Sequence, residues 1–126
     1  MAGAVSEFID RKWPLLLSQI EFWRAGETGA IEILGFAESL LREWEQIPQA
    51  EKQIRYLELE PTFWASVNSL HFCAKWSVGG VIGLDRHPDP EGVIRVVNGE
   101  LDDLLRYLRE RRPIPEGKYV DRRHLP

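Results

Sequence analysis

The stretch PTFWASVNSLHFCAKWSVGGVIGL, residues 61–84, decides how the chain is read. It contains no acidic residue, and Lys75 is its only formal charge. It also carries Trp64, Trp76, His71 and the single cysteine, Cys73. Pro61 suits the first turn of a helix, where its missing amide costs nothing. Phe63, Val67, Leu70 and Ala74 recur at three- and four-residue spacing, with Trp64, His71 and Val78 beside them, so an amphipathic helix runs to about Lys75. Apolar residues on more than one face mark this as the helix the others pack around.

Beyond Lys75 two readings compete. Gly79, Gly80 and Gly83 weaken a helix, and GVIRVV (residues 92–97) is a β-prone run after the turn-rich DRHPDPEG. A small hairpin of roughly Trp76–Leu84 with Val93–Val97 is one solution. A helix continuing to Leu84 and followed by a long loop is the other. The second is preferred, because a bundle gives both apolar faces something to pack against.

Working back toward the amino terminus, Thr28 is placed to cap a helix over Ala30–Glu45. Ile33, Ala37, Leu40 and Trp44 form its stripe, and Glu32, Glu38, Arg42, Glu43 and Glu45 its polar face. Glu38 and Arg42 stand in the favourable i,i+4 order. Before it, Ser6 could cap a short helix over Glu7–Lys12. Trp13-Pro14 should interrupt that helix and start a new one running to Ala25, which Gly26 stops. The short link Gly26–Gly29 makes an antiparallel hairpin. Pro48 opens a weaker helix to Tyr56, and Arg55–Glu60 alternates like an extended segment.

Toward the carboxyl end, Asn98 should cap a last helix over Gly99–Arg111, with Leu101, Leu104, Leu105 and Leu108 buried. Glu100, Asp102 and Asp103 at its start and Arg106, Arg109, Arg111 and Arg112 at its end suit the helix macrodipole. Pro113 stops it. Residues 113–126 read as an extended basic tail that Ile114, Tyr119, Val120 and Leu125 could pin to the body. The expected fold is therefore mainly α: one domain over residues 1–126, a compact bundle of four to five helices, with the small hairpin near residues 76–97 as a variant.

Composition limits function. The chain has 126 residues, 44% apolar and 29% charged, which suits one ordinary globular domain. A single cysteine excludes a disulfide within it and fits a reducing cytoplasm. MAGAVSEFIDRKW lacks the basic-then-apolar order of a secretory signal, and no stretch is long and apolar enough to span a bilayer. The expectation is a soluble cytoplasmic protein of bacterial type. Net charge is −4, but residues 1–60 hold eleven acidic and six basic residues, whereas residues 61–126 hold nine and ten. Opposed ends of this kind either neutralise each other in the fold or recruit a charged partner. Salt bridges from the Arg-rich end to the Glu-rich second helix are the plain account of that end, and nucleic-acid binding is disfavoured by the acidic total.

Candidate chemistry is sparse. His71 and Cys73 stand at i and i+2, about 200° apart on a helix, so they do not form a nucleophile–base dyad. Asp85, His87, Asp89 and Glu91 share one short loop, and His71 and His124 complete the histidines, but the loop lacks the glycine pattern and length of a calcium loop. VGGVIG has no following Lys-Ser or Lys-Thr and is no phosphate loop. Neither a catalytic residue, a metal nor a cofactor is assigned. Five tryptophans are many for this length. Most belong to the core, and one or two could anchor a partner.

The function class expected first is a non-enzymatic protein-binding domain: an immunity or antitoxin-type inhibitor that presents carboxylates to a basic, nuclease-like toxin. Its contact residues would be Glu32, Glu38, Glu43, Trp44 and Glu45. A small enzyme or metal-binding protein centred on His71 or on Asp85–Glu91 is the alternative. An oligomeric scaffold or adaptor using exposed tryptophans is another.

Overall fold

The computed structural model describes residues 3–78 and 89–115, and it is mainly helical. Helix α1 spans Ala4–Ala25, α2 Ala30–Glu45, α3 Glu60–Ser77 and α4 Pro90–Glu110. A single 3₁₀ turn, Gln49–Lys52, lies between α2 and α3. No strand occurs among the described residues.

Helix α1 is continuous, which corrects the expected break at Trp13-Pro14. Val5, Phe8, Ile9, Trp13, Leu16 and Ile20 form one buried stripe across the proline. A break would put the two halves out of phase with α3 and α4. Asp10, whose carbonyl Pro14 cannot satisfy, is exposed, as is Pro14, so that carbonyl faces water. Gly3 rather than Ser6 flanks the start of α1. Ser6 reaches back instead, its Oγ accepting from the Gly3 amide at 3.1 Å. At the other end Gly26 adopts φ 73°, with Gly26 and Glu27 amides donating to the Trp23 and Phe22 carbonyls. This is a Schellman ending that favours glycine.

Helix α2 has the expected bounds, although Gly29, not Thr28, flanks its start and no side chain caps it. The weak helix expected over Pro48–Tyr56 contracts to the 3₁₀ turn, and Leu57–Leu59 is a turn, not an extended segment.

Helix α3 is the central element. Twelve of its 18 residues are buried, including Phe63, Trp64, Ala65 and Cys73 at 0% exposure. Phe63 and Trp64 meet edge to face at 4.8 Å, and both contact Phe8. The helix ends at Ser77; its proposed continuation to Leu84 lies outside the described residues.

Helix α4 begins at Pro90, and this overturns the hairpin. Val93–Val97 is helical, as is Trp76. The Asp89 side chain caps the helix, accepting from the Gly92 amide at 2.9 Å, and Pro90 occupies the first turn. Asn98, expected as the cap, lies inside the helix. Its Oδ1 accepts from Trp23 Nε1 at 3.0 Å and from Cys73 Sγ at 3.5 Å, joining α1, α3 and α4. Past the helix, Ile114 is buried against Ala65, Leu104 and Tyr107. Its amide donates to Thr62 Oγ1, which donates to the Arg112 carbonyl, both at 2.9 Å. The rest of the basic tail, from Glu116, lies outside the described residues.

Candidate functional site

The surface of α2 is the site the sequence points to, and the helix phase decides what it offers. Ile33, Ala37, Leu40 and Trp44 turn inward. Glu32, Glu38 and Glu45 are then exposed, with Ile31 at 70% exposure beside them. Gly35 sits in the middle of this face, with no atom near the position a Cβ would take. Glu38 accepts from Arg42 at 2.9 Å, an exposed i,i+4 pair of small energetic weight. The Glu32 carboxylate folds back over Gly29, where the positive end of the helix dipole favours it. Glu45 makes no ion pair among the described residues.

Glu43 belongs elsewhere. It turns toward α1 and is held by Lys12, with Arg11 3.9 Å away. The hydrogen bond from Lys12 keeps its carboxyl below the usual glutamate range. Glu43 therefore works as a clasp between α1 and α2.

Trp44 is not a surface anchor. It is 2% exposed, lies 5.3 Å from Phe8 and 5.1 Å from Trp64, and carries two cations over its ring, Lys52 at 4.7 Å and Arg55 at 5.3 Å. Behind it Arg55 grips the fully buried Glu60 with two hydrogen bonds, of 3.1 and 2.5 Å. Glu60 also accepts from the Tyr56 amide at 2.7 Å. Sequence reasoning missed this cluster. The available signal was an arginine five residues before a glutamate that directly precedes Pro61, where a carboxylate in the first turn of α3 needs a cation.

His71 and Cys73 face different surroundings. Cys73 is buried against Asn98. His71 is half-buried, and burial, helped by nearby Lys75, pushes its pKa below the ordinary histidine value. Among the described residues no group of three or more His, Cys, Asp or Glu is placed to hold a metal. Asp85, His87 and His124 lie outside the described residues; Asp89 is engaged as the cap of α4 and stands 3.7 Å from Arg95.

Arg109 and Arg111 pair with α1, not with α2 as expected, while Arg106 pairs with Asp103 and Arg112 with Glu110 nearby in the chain. Arg109 meets Glu21 at 3.5 Å, Arg111 meets Asp10, and Arg24 of α1 forms a fork with Asp102 at 2.7 and 2.9 Å. The hydrogen bonds from Arg24 hold the Asp102 carboxyl below its usual range. Arg111 also lies over the Trp13 ring at 5.2 Å and donates to Tyr56 Oη at 3.3 Å. Arg109–Glu21, Arg111–Asp10 and Arg24–Asp102 thus tie the two halves of the chain together, while the other ion pairs among the described residues lie within one half.

A groove of about 630 Å³ runs between α3 and α4, bounded by Phe72, Val93, Val96 and Val97, with Asp89 and Arg95 at its rim. No helix of the described residues is long and apolar enough to cross a membrane. Comparison with protein-family models, curated proteins and solved structures finds no match to this chain.

Proposed function

We propose that this chain is a non-enzymatic protein-binding domain, an inhibitor of the immunity or antitoxin kind, and that it contacts a basic partner through the outward face of α2. The observation that carries the proposal is an isoleucine, Ile31, at 70% exposure beside Glu32 and Glu38 on a helix whose buried stripe, Ile33, Ala37, Leu40 and Trp44, faces the other way. Glu45 extends the same face by two turns, and Arg42 is the only cation on it among the described residues. An apolar contact surrounded by carboxylates suits a basic protein. The carboxylates stand where a nuclease would meet phosphates, and Ile31 supplies a contact that excludes water. Ile31 replaces Trp44 as the anchor in this reading, and Glu43 is left to its internal role.

Such a protein works by occupancy, with no cofactor and no bond made or broken. It would act in the cytoplasm of a bacterium, where a toxin must be neutralised before export. The test is to coexpress the chain with the proteins encoded beside it in its genome and to measure any complex by calorimetry. Affinity should fall at least tenfold between about 50 and about 200 mM salt, as expected for exposed opposite charges. Glu38→Lys with Glu45→Lys should weaken it further, and Ile31→Asp should raise the dissociation rate. A tight complex unaffected by all three substitutions would remove this surface from consideration.

A further inference from the structure

The geometry points to a second copy of this chain as the occupant of the outer seam of the α1–α2 hairpin. Lys12 bonds to Glu43, and Phe8 of α1 and Ile47 just past α2 line one hollow of about 290 Å³. Both pairs obey one antiparallel register, which sets Phe36 level with Gln19, between Leu15 and Phe22 of α1. Leu15 is 48% exposed and Phe22 44%, and Phe36 is half-buried. On α1 the seam runs Arg11, Leu15, Ser18, Phe22, alternating four- and three-residue steps, the spacing by which one helix meets another along its length. Neither α3 nor α4 covers this side, because the buried stripe of α1 faces the other way.

The seam is self-complementary. A twofold axis between Ser18 and Gln19 sets Leu15 of one copy against Phe22 of the other, with the small Ser18 side chains letting the two α1 helices approach. The same axis carries Arg11 to the Gly26–Gly29 link of the second copy. Arg11 is 64% exposed and only loosely near Glu43, which Lys12 already holds, so it is available to Glu27 there. Glu27 is exposed and makes no ion pair among the described residues.

The size is sufficient. Helix α2 has 16 residues and is about 24 Å long. Two helices side by side make a face about 20 Å wide, so each copy can bury roughly 500 Å². The total of about 1,000 Å² lies at the lower limit of specific interfaces, the class of weak and transient association, and the proposal is a dimer with a dissociation constant in the micromolar range. The outward face of α2, with Ile31 and Glu38, stays open on both copies.

Sedimentation velocity from about 5 to about 200 μM, a range that spans such a constant, should show the 14.6-kDa chain converting to a dimer. Leu15→Glu with Phe22→Glu should leave it monomeric throughout, and Ile31→Glu should leave the dimer intact. Arg11→Glu should weaken association about tenfold, the cost of one lost charge pair. Adding Glu27→Arg should restore it. Because the double glutamate variant could unfold, Ser18→Cys gives an independent reading: oxidation should yield a disulfide-linked dimer, since residue 18 lies next to the axis and Cys73 is buried. A wild-type chain that stays monomeric at the highest concentration, or a Ser18→Cys chain that does not cross-link, would overturn the proposal.

Discussion

Arg55 and Glu60 form a forked ion pair whose acidic member is wholly buried and whose basic member lies over the ring of Trp44. The pair stands where the α2–α3 connection enters the core. Glu60 has three donors, so its burial is satisfied only while Arg55 and the Tyr56 amide stay in place. Removing one partner leaves a charge in the interior without compensation. Glu60→Ala, which strands a mostly buried arginine, should cost about 3 kcal/mol or more, and Arg55→Ala a similar amount. Replacing both together should cost less than the sum, and urea unfolding of the two single variants and the pair gives the coupling directly.

His71 should give the chain a pH-dependent stability. Its folded pKa lies below the ordinary value of about 6.5 because burial and Lys75 disfavour the imidazolium. The unfolded chain therefore binds the proton more readily. Stability from this group is fully present above the ordinary value and is lost as pH falls through the folded one. His71→Gln should flatten that part of the profile. Unfolding free energies of wild type and variant between about pH 5 and pH 8, the window histidine can report, should show the wild type losing stability relative to the variant as pH falls.

The start of α4 rests on Asp89. Its carboxylate takes the Gly92 amide, and the preceding chain offers no other cap among the described residues. Asp89→Ala should cost about 1 kcal/mol. The loss should appear first as fraying of Val93–Val97, seen as carbon chemical shifts moving from helical toward coil values. If those residues formed a strand, the substitution would leave their shifts extended in both proteins.

Much of this fold is legible in the sequence, for reasons tied to particular residues. Helix α2 is read to its ends because one stripe, Ile33 to Trp44, is buried on one side only. The core role of α3 follows from apolar residues on several faces. The first half of α4 is misread because Val93, Ile94, Val96 and Val97 are β-branched, and local propensity outweighs the Asp-Pro cap just before them. Tertiary contact settles it: Val97 is buried in the main core, and Asn98 bonds to Trp23 and Cys73, which needs the helical phase. The candidate site is less legible. The acidic residues of α2 are visible in sequence, but which carboxylate turns to α1 and which to solvent depends on Lys12, 31 residues from Glu43. Trp44 has the composition of a binding anchor and the surroundings of a core residue, and only the three-dimensional position of Lys52, Arg55 and Phe8 separates the two.

Pro14 provides the sharpest test of how α1 is built. If the chain broke there, Pro14 would sit at the first position of a new helix, a place it favours, and Pro14→Ala would gain nothing. In the continuous helix it stands ten residues past Ala4, at an exposed position, and withholds a hydrogen bond from the Asp10 carbonyl. Alanine there would donate that bond and remove the clash of the ring with the preceding turn, without disturbing the buried stripe. Trp13 beside it keeps its own anchor, Nε1 donating to the Leu108 carbonyl at 2.8 Å. Pro14→Ala should therefore stabilise the protein by about 1–3 kcal/mol, the range set by the cost of an interior proline. Thermal unfolding would register this as a clear rise in Tm. A neutral or destabilising result would mean that the two halves of α1 are held by the core alone and that the helix gains nothing from a complete backbone.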